Sequence, residues 1–115
     1  MTIYHLEGDA LTGEISAYID AGADVTLVPA RLLENAGLDE IYTAELRSHW
    51  GEPRTVSIYI VDLQVASEFL PAVYVIGDER SEDILLGRNV LNQLILLFDG
   101  PRLQTDVLTR RPLRF

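Results

Sequence analysis

The stretch Tyr18-Ile19-Asp20-Ala21-Gly22-Ala23-Asp24-Val25-Thr26-Leu27-Val28-Pro29 constrains this chain more than any other. An apolar run ends in a carboxylate, a turn of small residues follows at once, and a second apolar run rich in β-branched residues stops at a proline. Runs of that length and composition read as buried strands. An ionised group at the margin of a core must be paired or lose its charge, so a protein that only needs to fold gains nothing from placing an acid there. Asp20 is therefore the first candidate for chemistry.

Composition removes several alternatives. A chain of 115 residues is expected to form one domain, 1–115, around a single core. Its formal net charge of -9 argues against nucleic acid as a partner, because affinity for phosphates depends on Lys and Arg. With no cysteine, disulfides and thiolate metal sites are ruled out, and the composition suits a reducing compartment. The start lacks a basic segment followed by an apolar one, and no apolar run approaches the roughly 20 residues of a membrane span. A cytoplasmic protein with no membrane partner is expected. His5 and His49 are too few and too isolated for zinc, so neither metal nor cofactor is expected. The serines form no nucleophile elbow, and Gly8, Gly13 and Gly87 read as turn glycines, not a phosphate cradle.

In chain order, residues 3–7 read as a strand and 8–13 as a turn. Residues 14–20 read as a second strand paired with the first as a hairpin, with Ile15, Ala17 and Ile19 on one face. Val25, Leu27 and Val28 form the next strand; Pro29 suits the first position of a helix over 30–36, which Gly37 caps. Residues 41–65 are strand again, broken at 49–53 by a polar tip flanked by Gly51 and Pro53, which makes a projecting hairpin. Val56, Ile58 and Ile60 alternate in one phase and Val61, Leu63 and Val65 in the other, which predicts a bend or bulge near Ile60. Residues 71–76 form a strand, 77–83 a charged surface loop, 84–87 a buried strand and 88–94 a short helix. Strands at 95–98 and 103–108 flank a turn at 99–101, and 109–115 is a basic tail. Many short strands with two short helices predict a closed, mostly β domain. A weak two-fold echo, apolar strand followed by a Gly turn, occurs around Asp20 to Gly22 and again around Leu86 and Gly87.

Two segments carry a resemblance to a known family. Ile19-Asp20-Ala21-Gly22-Ala23-Asp24-Val25-Thr26 resembles the active-site loop of retropepsin-like aspartic proteases, and Ile84-Leu85-Leu86-Gly87-Arg88-Asn89-Val90-Leu91 resembles their second signature. The two occur in the family's order, with a Gly-tipped hairpin between them. The resemblance implies a retropepsin-like acid-protease β-barrel with one lobe per chain. It also implies a homodimer in which Asp20 of each subunit is catalytic, since two carboxylates must share one proton and this chain supplies one such loop. Gly22, Ala23 and Asp24 become substrate-binding positions, and Asp24 is expected to pair with Arg88 in a buried structural contact. The hairpin tip at His49, Trp50 and Gly51 becomes a flap over an extended peptide, the peptide or protein substrate being the second partner. Ala21 departs from the family, where Thr or Ser at this position bonds across the dimer axis. Its loss leaves either an endopeptidase with other dimer contacts or a catalytically weak peptide-binding scaffold dimer. The acidic composition disfavours strongly acidic peptides.

Overall fold

The computed structural model describes residues 1–46 and 51–112. Its strands are β1 (Thr2–Tyr4), β2 (Tyr18–Ile19), β3 (Thr26–Pro29), β4 (Tyr42–Leu46), β5 (Arg54–Val65), β6 (Glu68–Asp78), β7 (Leu85–Leu86), β8 (Ile95–Asp99) and β9 (Gln104–Leu108). The helices are α1 (Ala30–Asn35) and α2 (Arg88–Leu91). Seven strands form one curled sheet in the order β1-β5-β6-β3-β7-β2, with β4 added on β5, whereas β8 and β9 pair only with each other. The expected closed barrel is not drawn by these pairings, which run as an open order from β1 to β2. No helix among the described residues is long and apolar enough to cross a membrane.

The long strand β5 shows how sequence pattern becomes packing. Tyr59, Val61, Leu63 and Val65 point into the main core with Ile3, Val28, Leu33, Val75 and Val90. Val56 and Ile58, on the opposite face, pack with Ile76 and the partly covered Val25, Leu27, Ala44 and Leu46. The two phases therefore reflect burial on both faces of one strand. The irregularity expected near Ile60 lies between Val61 and Leu63, and the extra residue belongs to β6. There the carboxylate of Asp62, almost fully buried, accepts the Ala72 and Glu7 amides at 2.8 and 2.9 Å. Ala72 has φ 52°, a left-handed conformation unusual for a residue with a Cβ, and the Asp62 contact helps hold it.

Several expected elements are corrected. The first strand is shorter, and residues 14–20 contribute only β2, which pairs in parallel with β7 and not with β1. The return beside β1 is made by residues 10–15, through an Ala10–Tyr4 bridge and mutual backbone hydrogen bonds of Met1 and Ile15 at 2.8 Å. Alternation identifies the covered face of a strand, not its neighbour. Pro29 ends β3 and serves as the N-cap of α1, one position earlier than expected. The other end matches a Schellman motif: Gly37 at φ 76° and Leu38 donate to the carbonyls of Glu34 and Leu33. Strand β6 is longer at both ends than 71–76, and it takes in Gly77 and the buried Asp78 from the expected loop. Helix α2 stops at Leu91 and continues as turns to Leu94, because one turn is enough to seat Val90 in the core.

Candidate active site

Asp20 follows the last residue of β2. In that strand Tyr18 and Ile19 lie opposite Leu85 and Leu86 of β7, and the ladder continues one step as the Asp20 amide donates to the Leu86 carbonyl at 3.0 Å. The chain then turns sharply, with the Ala23 amide donating to the Asp20 carbonyl at 3.1 Å and the Gly22 amide to Asp20 Oδ1 at 3.0 Å. A Cβ added at Gly22 would lie 3.3 Å from that same oxygen, so a side chain there crowds the carboxylate. Ala21 and Gly22 are exposed and Asp20 is partly buried, so the acid sits at the surface end of a core strand.

The loop is braced from behind by the segment that follows β7. The Arg88 and Asn89 amides donate to the carbonyls of Ala23 and Asp24 at 2.8 and 3.1 Å. Thr26, fully buried, accepts the Gly87 amide on Oγ1 at 3.0 Å. Its own amide and hydroxyl donate to Asn89 Oδ1 at 3.0 and 2.9 Å. Asn89 Nδ2 then donates to the Tyr74 carbonyl of β6 at 2.8 Å. The approach of the two segments requires Gly87, since a Cβ there would lie 2.6 Å from the Val25 carbonyl carbon and oxygen. This network accounts for the weak two-fold echo in the sequence: its two halves are neighbours, one carrying the acid and the other holding it.

Asp20, Ala21, Gly22, Ala23 and Asp24 thus lie on one loop, and Asp24 pairs with Arg88. The expectation of a buried pair is corrected. The side chains of Asp24 and Arg88 are 80% and 50% exposed in the single chain, so the contact contributes about 0–1 kcal/mol, not the several expected for a desolvated one. Backbone hydrogen bonds and the Thr26–Asn89 pair hold the two segments together instead. Of the residues expected to form a flap, Gly51 is exposed in the connection between β4 and β5, while His49 and Trp50 lie outside the described residues. The hairpin itself is regular, with Tyr42 opposite Ile58 and Leu46 opposite Arg54. No group of three or more His, Cys, Asp or Glu able to hold a metal occurs among the described residues.

The roles of Thr26, Asn89 and the Tyr74 carbonyl are not legible in the sequence. Thr26 reads as an ordinary strand former in a β-branched run; its one signal is a hydroxyl in an otherwise apolar segment just after the acid.

No protein-family model matches the sequence, and no curated protein does. Solved structures do match in shape. A retropepsin-like aspartic protease from Rickettsia conorii is 16% identical and superposes with a TM-score of 0.62, covering 86% of this chain and 74% of that one. The retroviral protease-like domain of Ddi1 from Leishmania major is 21% identical with a TM-score of 0.55, covering 82% of this chain and 78% of that one. Strand order, the paired loops and these two likenesses agree that the chain has a retropepsin-like fold.

Proposed function

We propose that the chain is one subunit of a homodimeric aspartic endopeptidase, a single catalytic domain over 1–115 that hydrolyses peptide bonds between two Asp20 carboxylates. The observation that carries this reading is the Asp20 carboxylate at a strand end, oriented by the Gly22 amide on a loop braced by Gly87, Thr26 and Asn89. The shape likeness to a retropepsin-like protease supports it.

Two like charges a few ångströms apart cannot both ionise, so the pair holds one proton between them. The ionised Asp20 takes a proton from water as the water oxygen attacks the scissile carbonyl carbon, and the protonated Asp20 of the second subunit donates to the carbonyl oxygen. As the tetrahedral intermediate collapses and the C–N bond breaks, the first Asp20 gives the proton it took from water to the leaving nitrogen, and the second takes back a hydroxyl proton as the carboxylic acid forms. Gly22, Ala23 and Asp24 offer backbone and carboxylate groups to an extended peptide, and the β4–β5 hairpin with His49, Trp50 and Gly51 at its tip covers it.

Dimer formation is supported by apolar side chains left uncovered beyond the acid loop. Phe98 and Leu103 of the β8–β9 hairpin are 65% and 94% exposed, and Tyr18, Ile19 and Leu97 are also exposed. Ala21 favours a second reading, a scaffold dimer of low activity, since a methyl at the axis cannot make the hydroxyl bond of the family. Incubation with a peptide library at mildly acidic pH separates the two. Cleavage that disappears in Asp20→Asn supports the endopeptidase, and undiminished cleavage in that variant sinks it. Ala21→Thr is expected to tighten the dimer about tenfold, read by sedimentation.

A further inference from the structure

Resting on the peptide-cleaving site proposed above, we infer that Tyr42 and Tyr74 form an aromatic subsite of the same cleft, selecting an aromatic residue on the peptide away from the bond that is cut. Tyr42 lies opposite Ile58, Ile58 opposite Ile76, Ile76 opposite Leu27, and Leu27 opposite Leu85. Residues paired in this way share a face, so one row crosses five strands and ends beside the strand that supports Asp20. Ile60 lies opposite Tyr74 and is two residues from Ile58, which puts Tyr74 on that face too.

The row changes character along its length. Ile58 and Ile76 are buried in the cluster that Leu27 partly covers. Tyr42 and Tyr74 instead meet above β5 as an edge-to-face pair, ring centroids 6.3 Å apart at 61°, and stay 49% and 48% exposed. Half-exposed tyrosines fixed against each other supply a large apolar contact at low entropic cost. The platform is also fixed relative to the acid loop, because the Asn89 side chain that bonds Thr26 holds the Tyr74 carbonyl.

The occupant is the substrate peptide itself, since Tyr18 lies opposite Leu85 as Leu27 does, so the row shares the face on which Asp20, two residues after Tyr18, projects. With strands about 4.8 Å apart, Tyr42 lies about 14 Å from Leu27, and Tyr74 is nearer. An extended peptide rises about 3.3 Å per residue, so the selected residue lies about two to four positions from the one seated against Leu27.

Binding by the 1–115 chain carrying Asp20→Asn tests the subsite without depending on hydrolysis. A fluorescent extended peptide is scanned with Phe, Tyr or Trp against Ala at each position, and affinity is read by polarisation. One position is expected to prefer an aromatic residue about tenfold. That preference should disappear in Tyr42→Leu/Tyr74→Leu, which keeps apolar area without rings, and persist in Tyr42→Phe/Tyr74→Phe. Absence of any aromatic-preferring position, or a preference unchanged in the leucine pair, overturns the inference. A leucine pair that instead weakens self-association in sedimentation also overturns it, by making the surface a contact between copies. If the wild-type chain cleaves the library with no aromatic position, the subsite fails and the protease reading stands. If aromatic-dependent binding occurs and the wild-type chain cuts nothing, the protease reading fails and the subsite stands.

Discussion

The Asp20 loop and the β8–β9 hairpin are both short excursions of backbone, yet they are supported in opposite ways. Around Asp20, hydrogen bonds reach back to residues 84–89, a partly buried Thr–Asn pair ties β3 to α2, and a glycine lets two backbones touch. The hairpin forms its own two-stranded sheet, packs Val107 on the main core and leaves Phe98 and Leu103 in solvent. A loop whose polar groups are satisfied within its own chain can hold one geometry before any partner arrives. An apolar hairpin without such cover has surface that only another molecule can bury.

The strongest way to break this contrast is Gly87→Ala. Its methyl would enter the Val25 backbone at 2.6 Å, and a loss of about 3 kcal/mol in unfolding free energy is expected by urea titration. A loss under about 1 kcal/mol would show that the two segments part easily. Asn89→Ala comes next, at about 2–3 kcal/mol, because it strands the Thr26 amide and the Tyr74 carbonyl together. Phe98→Ser sharpens the other side: stability of the single chain should move by less than about 0.5 kcal/mol. The dissociation constant of the proposed dimer should rise at least about tenfold by sedimentation, the expected cost of removing an aromatic contact buried there. Asp24→Ala should cost about 0–1 kcal/mol and lose that effect in high salt, as an exposed ion pair does.

The smallest effect concerns Tyr59, buried on β5 in the main core. Burial, and then the nearby Glu34, Glu40, Glu79 and Asp39, raise its phenol above the usual value of 10.0. The raised value means that the folded chain keeps this proton longer than the unfolded one. Its contribution is complete below pH of about 10 and is lost as pH rises through the folded value. Alkaline unfolding followed by circular dichroism should therefore flatten slightly in Tyr59→Phe.

Much of the fold could be read from single residues. Pro29 and Gly37 bracket α1, the small-residue turn at Asp20 lies where the apolar runs placed it, and the break before Pro53 separates β4 from β5. The partner of β2 could not be read, because a parallel pairing across more than 60 residues leaves no local trace. Asp62 was equally hidden: an acid inside an alternating strand is written like any solvent-facing residue until the bulge that it satisfies is seen. Exposure of the Asp24–Arg88 contact depends on how the loop is presented, which spacing does not encode.

By itself the sequence determined the two motifs, their order and the residue types a carboxylate mechanism needs, since turn chemistry and apolar periodicity are local properties. Only the tertiary structure decided what holds Asp20 in place and which side chains share its face. Thr26, Asn89 and Gly87 act on the loop across long separations in sequence, and Tyr42 and Tyr74 meet only because the register of three strands brings their rings together.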